Sequence, residues 1–107
     1  MVKLIFFSKL SFQQCKDYLF TNIRNLDACV LSETTQSIEY QISKSKRQIT
    51  IKLTHVSGKV TIDVSDNFYL MHIPRLTFKN FDKYKSAINS LVGSIYDEFQ
   101  LGYNSQS

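Results

Sequence analysis

The chain has few of the residues around which protein active sites are most often built. Its 107 residues include two cysteines, two histidines, three glycines, one proline and no tryptophan. Three isolated glycines form no phosphate-binding loop, and two cysteines alone complete neither a disulfide framework nor a tetrahedral zinc site. These absences disfavour nucleotide-binding, zinc-binding and disulfide-stabilised classes of protein.

The cysteines and histidines that are present show no catalytic spacing. Cys15 and Cys29 are not arranged as a CxxC pair, and we expect both to be small core residues. His72 lies in an apolar stretch, which predicts a hydrogen-bonded core or interface group, whereas His55 follows a strand and is expected to be solvated at a turn. No Ser, Cys or Asp is spaced to form a triad with either histidine. The sequence therefore predicts no catalytic residue.

The acidic residues are scattered along the chain. Asp63 and Asp66, like Asp97 and Glu98, lack the pattern of a metal-binding loop or of a general acid/base pair. We therefore expect no metal, no cofactor and no enzymatic activity from this chain alone.

Long hydrophobic runs are also missing. The longest one near the N-terminus, Leu4–Phe7, is shorter than the hydrophobic region of a signal peptide and far shorter than a membrane span. Hydrophobic residues make up 43% of the chain and charged residues 21%, which is typical of a folded domain. We expect a cytoplasmic protein without membrane contact, with one domain over residues 1–102 and a flexible tail over residues 103–107.

The first third of the chain predicts a strand followed by a helix. Val2–Phe7 is rich in β-forming residues. Ser11 and Gln14 fit a capping box, in which each side chain satisfies a backbone N–H group of the other residue at a helix start. Apolar residues then recur at helical spacing, which predicts an amphipathic helix over about residues 12–26.

The middle of the chain changes to a period of two. Apolar and polar residues alternate over residues 36–42, 48–54 and 60–64, which predicts antiparallel strands with one wet face. Ser57-Gly58 predicts a tight turn. Residues 68–73 predict a further strand that is central in the sheet or covered on both sides, and that ends or reaches an edge at Pro74.

The end of the chain predicts a second helix. Asn80 is a candidate N-cap, an apolar stripe runs from Phe81 to Phe99, and Gly102 is a plausible stop. The predicted order is β-α-β-β-β-β-α. The fold class is α+β, a two-layer sandwich with two helices on one face of a mainly antiparallel sheet.

Positive charge is unevenly distributed in this mildly basic protein, whose net charge is +4. Residues 41–60 contain five basic residues and no acidic one, and a projecting basic hairpin could neutralise the phosphates of tRNA or another structured RNA. Alternatively, these lysines keep an exposed hairpin from pairing with other chains. The candidate nucleic-acid-binding residues are Lys44, Lys46, Arg47, Lys52 and Lys59 from this region, together with Arg75.

A stripe of small residues runs along one side of the predicted last helix. Ser86, Ser90 and Gly93 recur at spacings that place them on one side, where another backbone could approach closely. With Asn89, they are the candidate interface for a protein partner or a homodimer. The alternative is an exposed serine face.

Both ends of the chain resemble a known family. The run from Lys85 to Ile95 is similar to the C-terminal helix of the small dimerising subunit of the KEOPS complex, and Leu4–Ser8 with the helix from Phe12 resembles the opening of those proteins. The resemblance implies a non-catalytic subunit whose helices mediate dimerisation. It would support the threonylcarbamoyladenosine modification of tRNA by a separate catalytic subunit.

A second resemblance covers about fifty residues. Ile49–Asp66, Phe68–Ile73 and the final helix are similar to the Alu-domain proteins of the signal recognition particle. This resemblance implies a heterodimer whose sheet surface and basic loops hold structured RNA. The leading hypothesis is therefore an assembly subunit of an RNA-modifying complex, and the alternative is a direct RNA-binding module.

Overall fold

The protein is an α+β domain built on one five-stranded antiparallel sheet. A computed structural model describes residues 2–44, 46–66 and 83–99. The strands lie in the order β1-β5-β4-β3-β2, and the chain order β-α-β-β-β-β-α agrees with the predicted fold class. The elements are β1 (Val2–Phe7), α1 (Phe12–Ile23) with a 3₁₀ turn (Arg24–Leu26), β2 (Cys29–Glu33), β3 (Ser37–Lys44), β4 (Arg47–Val56), β5 (Lys59–Asp66) and α2 (Lys83–Phe99).

Strand β2 is the element that sequence reasoning missed. The pairing register of β2 with β3 shifts between Val30 and Ser32, so this strand has no regular two-residue period to detect. All five of its residues are exposed. Cys29 lies here, at the edge of the sheet, and the expectation that it is a core residue is wrong. The features predicted at residues 68–74, 80, 102 and 103–107 lie outside the described residues.

The predicted capping box starts helix α1. The Ser11 hydroxyl accepts a hydrogen bond from the Gln14 backbone N–H at 3.1 Å, and the Gln14 side chain accepts one from the Ser11 N–H at 2.9 Å. The helix buries Cys15, Leu19 and Ile23 completely, which confirms Cys15 as a core residue.

Three consecutive strands form the centre of the sheet. The register pairs Ile42 with Ile49 and Tyr40 with Ile51 between β3 and β4, and Leu53 with Ile62 between β4 and β5. Since side chains alternate between faces along a strand, this register places the apolar residues of all three strands on one face. They share a single core with α1 and α2.

The predicted tight turn joins β4 to β5. Ser57 and Gly58 both have positive φ, at 51° and 80°, as a two-residue hairpin turn requires. The Gly58 carbonyl accepts a hydrogen bond from the Ser8 N–H at 3.0 Å, which ties the turn to the end of β1.

Helix α2 closes the core beside α1. Its buried side chains include Tyr84, Ile88, Leu91 and Ile95. The Tyr84 hydroxyl donates a hydrogen bond to the backbone carbonyl of Cys15 at 2.6 Å, which fixes one helix against the other. Neither described helix is long and apolar enough to cross a membrane.

A buried ion pair lies at one end of the core. The Arg47 guanidinium donates to both carboxylate oxygens of Asp66, with Nε at 3.3 Å from Oδ1 and 3.1 Å from Oδ2. The side chains are only 9% and 1% exposed. The guanidinium also lies 5.8 Å from the centroid of the Phe99 ring at the end of α2.

Removing one member of this pair should destabilise the domain strongly. Replacing Arg47 with alanine leaves the Asp66 carboxylate buried without its counter-charge, a change that costs about 3–5 kcal/mol in comparable cases. Urea denaturation of the R47A variant measures this loss. The variant K9A, at an exposed lysine away from this pair, should stay within about 0.5 kcal/mol of the wild type.

The double variant Arg47→Met with Asp66→Leu separates lost charge pairing from lost packing. It should recover most of the stability, because an apolar pair of similar volume leaves no buried charge. A double variant as unstable as R47A would contradict this explanation.

Tyr40 should make stability fall at alkaline pH. Burial raises the pKa of Tyr40 above its ordinary value of 10.0, and the negative charges of Glu33 and Asp17 add to the effect. Because the folded state holds the phenolic proton more tightly, its contribution is present below pH 10 and is lost as pH rises through the folded pKa, at most about 1.4 kcal/mol per pH unit.

The variant Tyr40→Phe keeps the ring and removes the titrating group. Urea denaturation between pH 8 and 11 should therefore show a shallower loss of stability for Y40F than for the wild type. Parallel pH profiles would show that Tyr40 does not contribute.

Candidate interaction surface

The sheet has one face that the helices do not cover, here called the open face. Its side chains alternate with the buried ones, and the strand register brings them into rows across the sheet. Most are small hydroxyl-bearing or charged residues. The open face comprises Lys3, Ile5 and Phe7 on β1, Ser37, Glu39, Gln41 and Ser43 on β3, Gln48, Thr50, Lys52, Thr54 and Val56 on β4, and Lys59, Thr61, Asp63 and Ser65 on β5.

One row of the open face alternates in charge. Glu39 is the register partner of Lys52, Lys52 of Asp63, and Asp63 of Lys3. We call these four residues the charge ladder. The Lys3 Nζ lies 3.7 Å from the Asp63 Oδ1, and the four strands place the row over about 14 Å. Every charge in it has only opposite charges beside it, an arrangement that stabilises cross-strand pairs.

A second feature lies towards the β1 edge of the same face. Phe7 is 73% exposed, Ile5 54% and Val56 43%. Phe7 and Val56 are both register partners of Lys59, so they lie in one row with this lysine between them, and Ile5 lies in the next row. We call Ile5, Phe7 and Val56 the apolar cluster. Large apolar side chains grouped on a surface are typical of protein contact sites.

Two of the predicted RNA-binding residues instead contact the end of helix α2. The Lys44 Nζ donates to the backbone carbonyl of Phe99 at 3.4 Å, a contact that favours a cation because the helix C-terminus carries partial negative charge. Arg47 is buried in its pair with Asp66. The alternation of the strands already indicated both positions. Lys44 lies two residues after the buried Ile42 and Arg47 two residues before the buried Ile49, so both belong to the core-facing set of their strands.

The other predicted basic residues do not form one positive surface among the described residues. Lys52 belongs to the charge ladder, between two carboxylates. Lys46 is exposed at the hairpin tip, and Lys59 is exposed at the far end of the sheet, within the row of the apolar cluster. Arg75 lies outside the described residues.

The small-residue stripe of α2 is only partly at the surface. Ser86 is buried, and Ser90 and Gly93 are half-buried. Asn89 is exposed and accepts a hydrogen bond from the Tyr18 hydroxyl at 2.7 Å, which joins α2 to α1. Ser86 therefore lies in the interior and Asn89 joins the two helices, whereas Ser90 and Gly93 remain partly at the surface.

His55 is not in a solvated turn as expected, because β4 extends to Val56. It is half-buried on the core side, where its Nε2–H donates to the Leu10 backbone carbonyl at 2.9 Å. Asp63 and Asp66 lie on opposite faces of β5. Among the residues that the structure describes, no group of three His, Cys, Asp or Glu side chains could hold a metal ion.

An open groove of about 340 Å³ runs between α1 and α2. Two of its polar side chains already have partners within the domain. The Lys85 Nζ lies 5.3 Å from the centroid of the Tyr18 ring, and the Tyr18 hydroxyl donates to Asn89. Tyr18 and Lys85 therefore take part in the contact between the helices.

Reversing the charge of Lys52 should destabilise the isolated domain if the charge ladder contributes to its stability. The variant Lys52→Glu places three carboxylates side by side, and we expect the free energy of unfolding to fall by about 1 kcal/mol at low salt. Urea denaturation at high dilution should show this loss shrinking in high salt, because exposed charges are screened.

The variant Lys9→Glu makes the same charge change on an exposed residue outside the open face. It should cost clearly less stability than K52E at low salt. Equal losses for the two variants would show that net charge, and not the row of neighbours, causes the effect.

Comparison with known proteins does not assign this chain to a family. No protein-family model and no curated protein matches the sequence. The function is therefore argued from the open face and the residues that lie on it.

Proposed function

We propose that this protein is a non-catalytic assembly subunit that binds another protein through the apolar cluster at the β1 edge of its open face. The observation that carries the proposal is the exposure of Ile5 and Phe7 on β1, with Val56 exposed two strands away on the other side of Lys59. The partner surface that fits it is apolar at its centre and polar at its rim.

The energy available at the apolar cluster supports this function. Fully burying an Ile or Phe side chain contributes about 1.5–3 kcal/mol, and Phe7 retains most of its surface in the free protein. A partner that covered Ile5 and Phe7 would therefore gain affinity that does not depend on charge. Binding of this kind survives high salt.

The setting that we propose is a cytoplasmic RNA-modifying assembly. The resemblance of both chain ends to the small dimerising subunit of the KEOPS complex supports it, and implies a separate subunit that catalyses the tRNA threonylcarbamoyladenosine modification. The resemblance implies contacts through the helices. We place the candidate contact on the sheet instead, since Ser86 is buried and Asn89 bonds to Tyr18.

The alternative is direct RNA binding through the exposed lysines. Lys44 and Lys46 are exposed at the β3–β4 hairpin tip, Lys52 within the charge ladder and Lys59 after the β4–β5 turn, whereas Arg47 is buried against Asp66; the Lys44 Nζ also contacts the end of α2. Binding carried by such lysines would weaken steeply as salt rises, because it depends on the release of counterions.

Affinity capture of three tagged proteins tests the assembly function. The variant Ile5→Thr/Phe7→Thr removes two exposed apolar side chains but keeps residues that favour strands. The matched control, Val30→Thr/Leu31→Thr, makes the same change on exposed residues of β2 at the opposite edge. After a high-salt wash, the wild type and the control should retain the kinase-like catalytic subunit of a tRNA-modifying complex.

We expect I5T/F7T to bind this subunit at least tenfold more weakly when the two purified proteins are mixed, which corresponds to about 1.4 kcal/mol. Equal binding by I5T/F7T and the wild type would contradict the proposed surface. Recovery of RNA alone, lost as salt rises and lost when Lys46, Lys52 and Lys59 are changed to Gln, would instead establish the alternative.

A further inference from the structure

We propose that the open face also binds a second copy of this chain, with the two charge ladders facing each other across a two-fold axis. This surface spans β3, β4, β5 and β1 with its centre between β4 and β5, so a second copy would cover Ile5 and Val56 and would compete with the partner of the apolar cluster. The observation behind it is the order of charges along the row.

The charge ladder is complementary to itself in one orientation. It reads Glu39, Lys52, Asp63, Lys3 across strands β3, β4, β5 and β1. A two-fold axis parallel to the strands, between β4 and β5, reverses the row of the second copy. Lys52 then faces Asp63 of the other copy, and Glu39 faces Lys3, so each two-fold contact contains four pairs of opposite charge.

A two-fold axis that coincides with the row is opposed by the same charges. A two-fold axis along the row would leave its order unchanged and would place Glu39 on Glu39 and Lys52 on Lys52. Like charges brought together across an interface cost several kcal/mol. When the two ladders face each other, their charges therefore favour the axis parallel to the strands over the axis along the row.

The residues on either side of the ladder permit close approach in this orientation. Thr50 and Ser65 are register partners, as are Thr54 and Thr61, and the axis places each residue of a pair opposite the other residue of its pair. These side chains are small and can exchange hydrogen bonds. The next row places Val56 against the aliphatic part of Lys59.

The geometry of packed sheets is compatible with this pairing. Two sheets packed face to face cross at about 30°. Over the half-length of the ladder, such a rotation displaces the outer Glu39–Lys3 pairs by roughly 4 Å. The long side chains of Glu and Lys can span this displacement, whereas the central Lys52–Asp63 pairs lie near the axis and move little.

A charge-swap experiment tests the dimer. We expect the purified wild-type protein to form dimers in sedimentation equilibrium, with a dissociation constant that rises with salt. Lys52→Glu places two carboxylates opposite each other twice, and Asp63→Lys does the same with two ammonium groups. Each variant alone should dimerise at least tenfold more weakly than the wild type.

The mixture of the two variants is the decisive sample. In a heterodimer of K52E with D63K, the introduced glutamate of one copy faces the introduced lysine of the other. The unchanged Asp63 of the first copy faces the unchanged Lys52 of the second, so all central pairs are again opposite in charge. Native mass spectrometry should show heterodimers in excess over both homodimers. Because each variant keeps its own intramolecular defect in the mixture, a gain in affinity reports the contact between the copies.

Two controls distinguish a variant that is misfolded from one that is folded but no longer dimerises. Lys9→Glu should dimerise like the wild type, and far-ultraviolet circular dichroism checks that every variant is folded. If a reversal prevents folding, Lys52→Gln and Asp63→Asn replace it, each with a smaller loss of dimer affinity.

Three results would overturn the proposal: a wild type that remains monomeric at millimolar concentration, variants that dimerise as the wild type does, or a mixture without heterodimers. Each concerns the purified protein alone. A negative result for the dimer therefore does not decide the proposed assembly function, which is tested separately by the binding of another protein.

Discussion

The register of β4 between β3 and β5 is the constraint on which the rest of the structure depends. It places Ile49, Ile51 and Leu53 under the helices and, by the same alternation, sets Lys52 between Glu39 and Asp63 on the open face. A slip of one residue would exchange the two sets, exposing the core and burying the charges. The buried apolar residues therefore specify the charge ladder as firmly as they specify the core.

Two basic residues at the β3–β4 hairpin tip contact the C-terminal end of helix α2. Lys44 contacts the last carbonyl of the helix, and Arg47 lies between Asp66 and the Phe99 ring. Both contacts concern the C-terminal end of α2, where partial negative charge favours cations. Two residues of a cluster that looks like an RNA-binding loop in the sequence thus contact the end of α2, and one of them, Arg47, is buried there, whereas Lys44, Lys46, Lys52 and Lys59 are exposed.

Most of the architecture could be predicted because it rests on local periodicity. The capping box at Ser11 and the alternation in β3, β4 and β5 are visible in the local sequence, and they identify α1 and these three strands. Strand β2 has a register shift and all its residues are exposed, so its sequence shows no alternation of apolar and polar residues. For the same reason the sequence did not indicate that Cys29 is at the surface. The partners of Arg47 and Lys52 lie on other strands, and only the register could identify them.

A two-layer domain must solve the problem of an uncovered sheet, and the charge ladder does so in a specific way. Alternating charges keep the open face hydrated and give it almost no net charge along the row, so it offers little general attraction to phosphate or to other polyions. The same alternation is antisymmetric about the line between Lys52 and Asp63. A row of like charges would repel every copy and a neutral row would accept many orientations, whereas this row favours one orientation and opposes the other. Hydration of the open face in the free chain and selectivity for its partner therefore follow from the same four residues.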